Sequence, residues 1–309
     1  MNEPALPRVV SAGEALTDFI RVGNNEWRSR PGGAGWNVAR IVAALGIPSA
    51  FAGGISDDRF GDEILASSQR AGLDARFLQR YAKPALLAMV HGSAPPEYSF
   101  IGADSADLYF APARLPSGWL EAAEWVHFGG ISLTREPLRS TLRALLDAVV
   151  AAGRRVSYDP NFRNVMTKDY DWTLRYVAER ANLIKVSEDD LIGLFRTPDA
   201  ADALQRLRTM NSAAKILVTR GERGAGLHEG ETALEQTAIR VHTNDAIGAG
   251  DASVGGMLFS LLRSPLASGE SHLRFAVAAG SAACVQSDGS PPTLEQIEHI
   301  IGMMDEPQG

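Results

Sequence analysis

Short apolar runs alternate with stretches of helical period along most of the chain. Residues 9–12, 125–129, 155–158, 183–186 and 216–219 are compact runs of strand length, rich in apolar side chains. Between them the period changes. Val38, Ile41, Val42 and Leu45 share one face of a helix over 37–45 that Gly46 stops. Leu138, Leu142, Leu145, Leu146 and Val149 form the stripe of a second helix over 137–152. Helical stretches are also read near 171–180 and 199–209, and three more from 252 to about 304. This alternation predicts an α/β fold, a mainly parallel sheet covered by helices on both faces.

Two regions break the rhythm. Residues 18–30 and 86–110 read as strands and turns without intervening helices, and the prolines of SAPPEYSFIG keep the second region from being a central strand. Together they predict a small antiparallel flap. Ligands of open α/β sheets bind beyond the carboxyl ends of the strands, so a flap placed there would serve as a lid. No repeat or long linker divides the chain, which is read as one domain over 1–309.

Charge narrows the partners. The 309 residues carry a net charge of -7, so no chain-wide basic field exists to hold nucleic acid or an acidic membrane. A single cysteine, Cys284, excludes an internal disulfide framework and a cysteine-rich zinc site; in its alanine-rich stretch it reads as a small buried residue. No charged-then-apolar leader opens the sequence and no run reaches the ~18 apolar residues of a membrane span, so a cytoplasmic protein is expected.

The chemistry concentrates at glycine-rich and acidic strand ends. In DAIGAGD (245–251), Gly248, Ala249 and Gly250 leave backbone N–H groups open to a ligand where a helix begins, and the unpaired donors and dipole there favour an anion. Asp251 falls in the first turn. It reads either as a charge that stabilises the helix start or as a base beside a phosphate-binding turn, an arrangement suited to phosphoryl transfer to a hydroxyl. Gly32, Gly33 and Gly35 precede Asn37, which either caps the helix or turns its amide to a polyhydroxylated ligand. Asp18 is either solvated or a sugar ligand. Asp159 caps the turn that Pro160 enforces, and Arg163 is a candidate for phosphate or substrate contact. The acids of KVSEDD (185–190) would bind magnesium through water or form a solvated helix start. The glycines of TRGERGA (219–225) make a hairpin turn or leave room for a nucleotide. A nicotinamide oxidoreductase is disfavoured, because no GxGxxG follows the first strand, and no GxxxxGK[ST] loop occurs anywhere.

These residues resemble the ribokinase/fructokinase-type sugar kinases, the PfkB family, over roughly 9–293. GGAGWNVARIVAALG (32–46) and DAIGAGDASVGGML (245–258) carry the likeness most specifically. GEALTDF, SADLYF, HFGGISL, YDPNFR and IKVSEDDL are most similar to fructokinase segments. The resemblance implies a ribokinase-like three-layer α/β/α fold with a β lid, and ATP with Mg²⁺ as phosphoryl donor. It implies Asp251 as base and Gly248, Ala249 and Gly250 as anion hole. Asp18, Gly33, Asn37 and Arg163 would hold the sugar. Lys185, Thr219, Gly221, Gly224 and Asp245 would lie along the nucleotide, with Glu188 on magnesium through water. A potassium site of carbonyls near Asp245, Ile247, Cys284, Ser287 and Gly289 is common in the family, and a homodimer through the lid is expected. Transfer to O6 of D-fructose is the implied reaction, with 2-keto-3-deoxygluconate as the alternative acceptor and a non-catalytic sugar sensor as the alternative class. The sequence departs from the family at Gly35-Trp36, at Ser187 and Asp190, and in a lid segment without the arginines many fructokinases carry before SAD.

Overall fold

A computed structural model of the chain describes residues 5–91, 97–243, 247–286 and 289–305. The first strand, β1 (Val9–Ala12), is buried on both sides: Val10 and Ala12 enter one hydrophobic cluster and Val9 the opposite one. The chain then leaves for a second sheet through β2 (Leu16–Arg21) and β3 (Trp27–Gly32). It returns along α1 (Ala34–Ala44) to β4 (Ser49–Ser56), α2 (Arg59–Arg70) and β5 (Leu78–Tyr81). The strands β6 (Leu87–His91) and β7 (Glu97–Ile101) complete the second sheet.

After a short α3 (Trp119–Ala122), β8 (Trp125–Gly129) re-enters the main sheet. There follow α4 (Leu138–Ala151), β9 (Arg155–Asp159), α5 (Tyr170–Ala178), β10 (Leu183–Ser187), α6 (Glu188–Phe195), α7 (Ala200–Met210) and β11 (Lys215–Thr219). A hairpin, β12 (Ala225–Glu229) and β13 (Thr232–Gln236), precedes α8 (Ala249–Arg263), α9 (Gly269–Val285) and α10 (Leu294–Asp305). Among the described residues no helix is long and apolar enough to cross a membrane.

The main sheet runs β13-β12-β11-β10-β9-β8-β1-β4-β5, parallel from β5 to β11 and antiparallel in the last two pairings. Helices α4 to α7 pack on one face, and α1, α8, α9 and α10 on the other. This is the expected three-layer α/β/α arrangement, and strand order reverses beside β1, the kind of switch point at which such sheets bind ligands.

Four expectations are corrected. The small sheet, β3-β2-β6-β7, is mixed: β2 pairs with β6 in parallel, while its two outer pairings are antiparallel. Its last strand stops at Ile101, and the rest of the expected 86–110 region leaves it, since Leu108 and Phe110 are drawn into the main core. Helix α1 starts at Ala34 rather than Asn37, so Gly33 is its N-cap and Asn37 lies within its first turns. Cys284 is half-buried, not buried, near the end of α9. The β4-α2-β5 unit and the β12–β13 hairpin went unread, since Gly-rich β4 and the polar face of β13 carry weak periodicity.

Gly129 ends β8 where β9 presents Asp159, and a Cβ there would collide with the Asp159 carbonyl oxygen. Gly129→Ala is expected to lose about 1–3 kcal/mol, the usual scale of overpacking, read as a lower urea midpoint at unchanged m-value.

Candidate active site

The site is assembled by a close helix crossing. Gly255 lies one turn beyond Asp251 on α8, and its missing side chain admits Ile41 of α1; a Cβ would stand 2.6 Å from Ile41 Cγ2. Ile41 is in turn one turn beyond Asn37. The same crossing therefore brings Asn37 to Asp251, whose Oδ2 accepts a hydrogen bond from Asn37 Nδ2 at 2.8 Å. Arg40 Nη1 donates to Asn37 Oδ1 at 3.4 Å and orients that amide.

The helix start has the geometry of an anion site. Gly248, at φ 88° in the left-handed region, caps α8 with no side chain bonded to the first-turn amides, and Ala249 and Gly250 open the helix. Gly250 has a second reason to be glycine: a Cβ would lie 2.9 Å from Lys185 Nζ. Lys185, buried on β10, is 3.1 Å from Asp159 at the end of β9 and 3.8 Å from Asp190. Asp190 also accepts from the backbone of Phe162 and Ser187, forming a capping box with Ser187 at the start of α6.

Burial raises the Asp251 carboxyl from 3.8 to about 7; the Asn37 hydrogen bond opposes that rise, Asp159 adds to it, and Lys185 and Arg163 lower it again. Burial would push the Lys185 ammonium down, but Asp159, Asp190 and Asp251 outweigh it and hold the lysine above its ordinary value.

A cleft beside this pair is lined by Asp18, Gly32, Asn37, Ile247, Gly248 and Gly289, among others. Asp18 comes from β2, its carboxyl lying against Gly32, which has no side chain to obstruct it. Gly33, at φ 118°, approaches the Glu14 carbonyl so closely that a Cβ would be 2.6 Å from it. Arg163 is anchored through Nη1 to Asn161 and Phe162 at 2.7–3.2 Å, and its charge reaches Asp251.

The remaining candidates sit further along the strand ends. Thr219 ends β11 opposite Ser187, and Gly221 and Gly224 shape a tight turn in which Arg220 N donates to Gly224 O at 2.8 Å. Gly221 faces open space, so the turn leaves room on that side. Glu188 is ion-paired with Arg220 at 3.3 Å and with Arg223, so its carboxylate serves to join α6 to this turn. Asp245 and Ser287 lie outside the described residues; Ile247 and Gly289 reach the cleft, while Cys284 is half-buried in α9.

Two groups escaped the sequence reading. Glu14 is buried with its carboxyl raised to about 7, burial outweighing hydrogen bonds from the Ser132 hydroxyl and backbone. An acid inside the apolar GEAL run was the available signal. Arg135 pairs with Asp107 and reaches the Gly102 carbonyl, linking the base of the small sheet to the main body. Nothing in local spacing joins residues so far apart.

The profile of the pfkB family carbohydrate kinases matches residues 6–296. The chain is 33% identical over 258 residues to a fructokinase of Klebsiella pneumoniae, the match covering 81% of this chain and 82% of that one. Among solved structures, a fructokinase of Xylella fastidiosa with bound ATP superimposes with a TM-score of 0.87 at 27% identity, covering 97% of this chain and 100% of its own. An aminoimidazole riboside kinase of Salmonella enterica, complexed with aminoimidazole riboside and an ATP analogue, gives 0.83 at 28% identity, covering 95% and 99%.

The raised carboxyl predicts a signed stability effect. Because Asp251 holds its proton more tightly folded than unfolded (~3.9 unfolded), its ionisation costs stability progressively as pH climbs from about 4 through 7. Asp251→Asn should melt above wild type at pH 8 in scanning calorimetry, with the gap closing toward pH 4. Equal melting at pH 8 would mean the carboxylate is not desolvated.

Proposed function

The chain belongs to the pfkB family of carbohydrate kinases and is an ATP-dependent sugar kinase, and we propose that its acceptor is D-fructose, phosphorylated at the O6 hydroxyl. The observation that carries the reading is the convergence of Asn37, Asp18 and the Gly248 turn on one cleft, with Asp251 hydrogen-bonded to Asn37 beside it, in a chain of this family. The fructokinase relative and the ATP-bound fructokinase structure support the acceptor and the donor.

In this reading Asp251 takes the proton of the attacking hydroxyl, and a carboxyl raised to about 7 is well matched to that task near neutral pH. The amides at Gly248, Ala249 and Gly250 face the charge that gathers on the transferred phosphoryl oxygens, where most catalytic gain in such reactions arises. Asp18, Gly33 and Asn37 orient the sugar, and Arg163 adds positive charge beside Asp251. The turn of Thr219, Gly221 and Gly224 borders the nucleotide, while Lys185 acts from beneath, fixing Asp159, Asp190 and Gly250. The small sheet is the lid, and its closure excludes water from the transfer.

Among the described residues no cluster of three or more His, Cys, Asp or Glu side chains is placed to hold a metal. That fits Mg²⁺, which keeps several waters and binds through substrate phosphates with few carboxylates; bound with ATP it would neutralise phosphate charge. Glu188, committed to two arginines, is removed from that role in our reading. A potassium ion on the carbonyls of the 245–247 and 284–289 segments is part of the proposal. So is a homodimer through the lid, where Val22 and Ile101 leave apolar surface exposed.

Asp251→Asn should lower kcat by roughly two to four decades while sugar and ATP affinities stay within a few-fold. Wild-type kcat/KM should fall as pH drops below about 7. Near-wild-type turnover in the variant would remove Asp251 as base. Side-by-side kcat/KM values for fructose, 2-keto-3-deoxygluconate and ribose test the acceptor: fructose is expected to lead, and a lead for either other sugar reassigns it.

A further inference from the structure

We propose that Tyr98 is a positioning residue carried by the lid, its ring holding the Arg163 guanidinium beside Asp251 so that lid closure and completion of the transfer site are one event. The inference rests on the sugar-kinase site assigned above and adds to it a link between two sheets.

Tyr98 lies on β7, whose side chains alternate: Glu97, Ser99 and Ile101 are exposed, while Tyr98 and Phe100 turn inward. The two inward rings stack at 6.1 Å between centroids and pack on the apolar cluster of Leu16, Leu86, Ala88 and Ile131. Arg163 belongs to the other sheet, just after β9. Its guanidinium carbon stands 4.3 Å from the Tyr98 ring centroid, well within the range of a cation–π contact.

The guanidinium is thereby held in two ways. Its Nη1 edge is fixed by Asn161 and Phe162, and its face is covered by a ring from the lid. Arg163 acts electrostatically on both the Tyr98 hydroxyl and Asp251, and the hydroxyl in turn senses Asp18 and Asp251. Tyr98 therefore stands at the junction of the acceptor ligand, the base and the cation.

Opening the lid would carry the ring away and leave Arg163 secured along one edge only. Its charge would then be shared with water rather than aimed at the site, and an open enzyme would be poor at transferring phosphoryl to water. Closing would bring the ring back over the guanidinium and restore the cation beside Asp251. Nothing in local sequence joins this pair, since Tyr98 and Arg163 are far apart in the chain and the contact depends on how the small sheet folds over the main one.

The test separates ring, hydroxyl and bulk. Tyr98→Phe keeps the ring and should hold kcat within about threefold. Tyr98→Leu keeps apolar bulk without a π face and should lower kcat about 10- to 30-fold, the scale of a desolvated cation–π contact. Arg163→Lys should behave alike, and the double variant should lose little more than either single one. Losses that multiply in the double variant, or a Tyr98→Leu enzyme with unchanged kcat, overturn the proposal. Hydrogen exchange gives an arm independent of acceptor identity: amides of 97–101 should exchange faster in both Tyr98→Leu and Arg163→Lys, and unchanged exchange in both overturns the latch. Failure of the sugar-kinase reading would show separately, as wild-type enzyme without sugar-dependent ADP release, and the exchange arm would still decide.

Discussion

Lys185 is buried on β10 among Asp159, Asp190 and Asp251, and the carboxyl end of the sheet depends on that one ammonium. Without it, three carboxylates from β9, α6 and α8 would face one another in a site that water barely reaches. Breaking a buried ion pair typically costs about 3–5 kcal/mol, because the remaining charge is left uncompensated. Arg163 brings the local count to two cations against three acids. The imbalance and the burial together explain why the proton resides more readily on Asp251 than on an ordinary aspartate. The same ammonium explains Gly250: the anion-binding turn needs a residue without a side chain on both its outer and its inner surface.

The second constraint is the distance between α1 and α8. Gly255 lets Ile41 approach, and with the helices so close the Asn37 amide meets Asp251 directly. Two glycine-containing segments more than two hundred residues apart thus become a single site. Arg40 adds a polarity to the arrangement by taking the carbonyl end of the Asn37 amide, leaving the NH₂ for the carboxylate. A separate unit, the small mixed sheet, brings Asp18 on β2 to the cleft and Tyr98 on β7 to Arg163, so that contact spans the boundary between the two sheets.

Much of the fold was readable because burial imposes periodicity. β1, β8, β9, β10 and β11 are buried along most of their length, so their sequences are mostly apolar and their limits fall within a residue or so of the observed ones. A largely exposed edge strand such as β13 carries a weaker signal. The parallel pairing of β2 with β6 was unreadable, because pairing direction depends on chain connections that leave no trace in local composition.

Among the site residues, Asp251, Gly248 and Asn37 were legible from glycine spacing and from carboxylate and amide placed at helix starts. The partners of Glu188 were not: only the return of β11 beside β10 brings Arg220 and Arg223 to it. Tyr98 and Arg135 stayed invisible for the same reason. The sequence by itself determined the buried strands, the glycine-rich helix start and the acid in its first turn, because those follow from short-range backbone chemistry. Only the tertiary structure decided what surrounds that acid: the amide from α1, the lysine beneath and the arginine held by a lid ring. Charge and desolvation act through space, and they turn an ordinary aspartate into one that titrates near neutral pH.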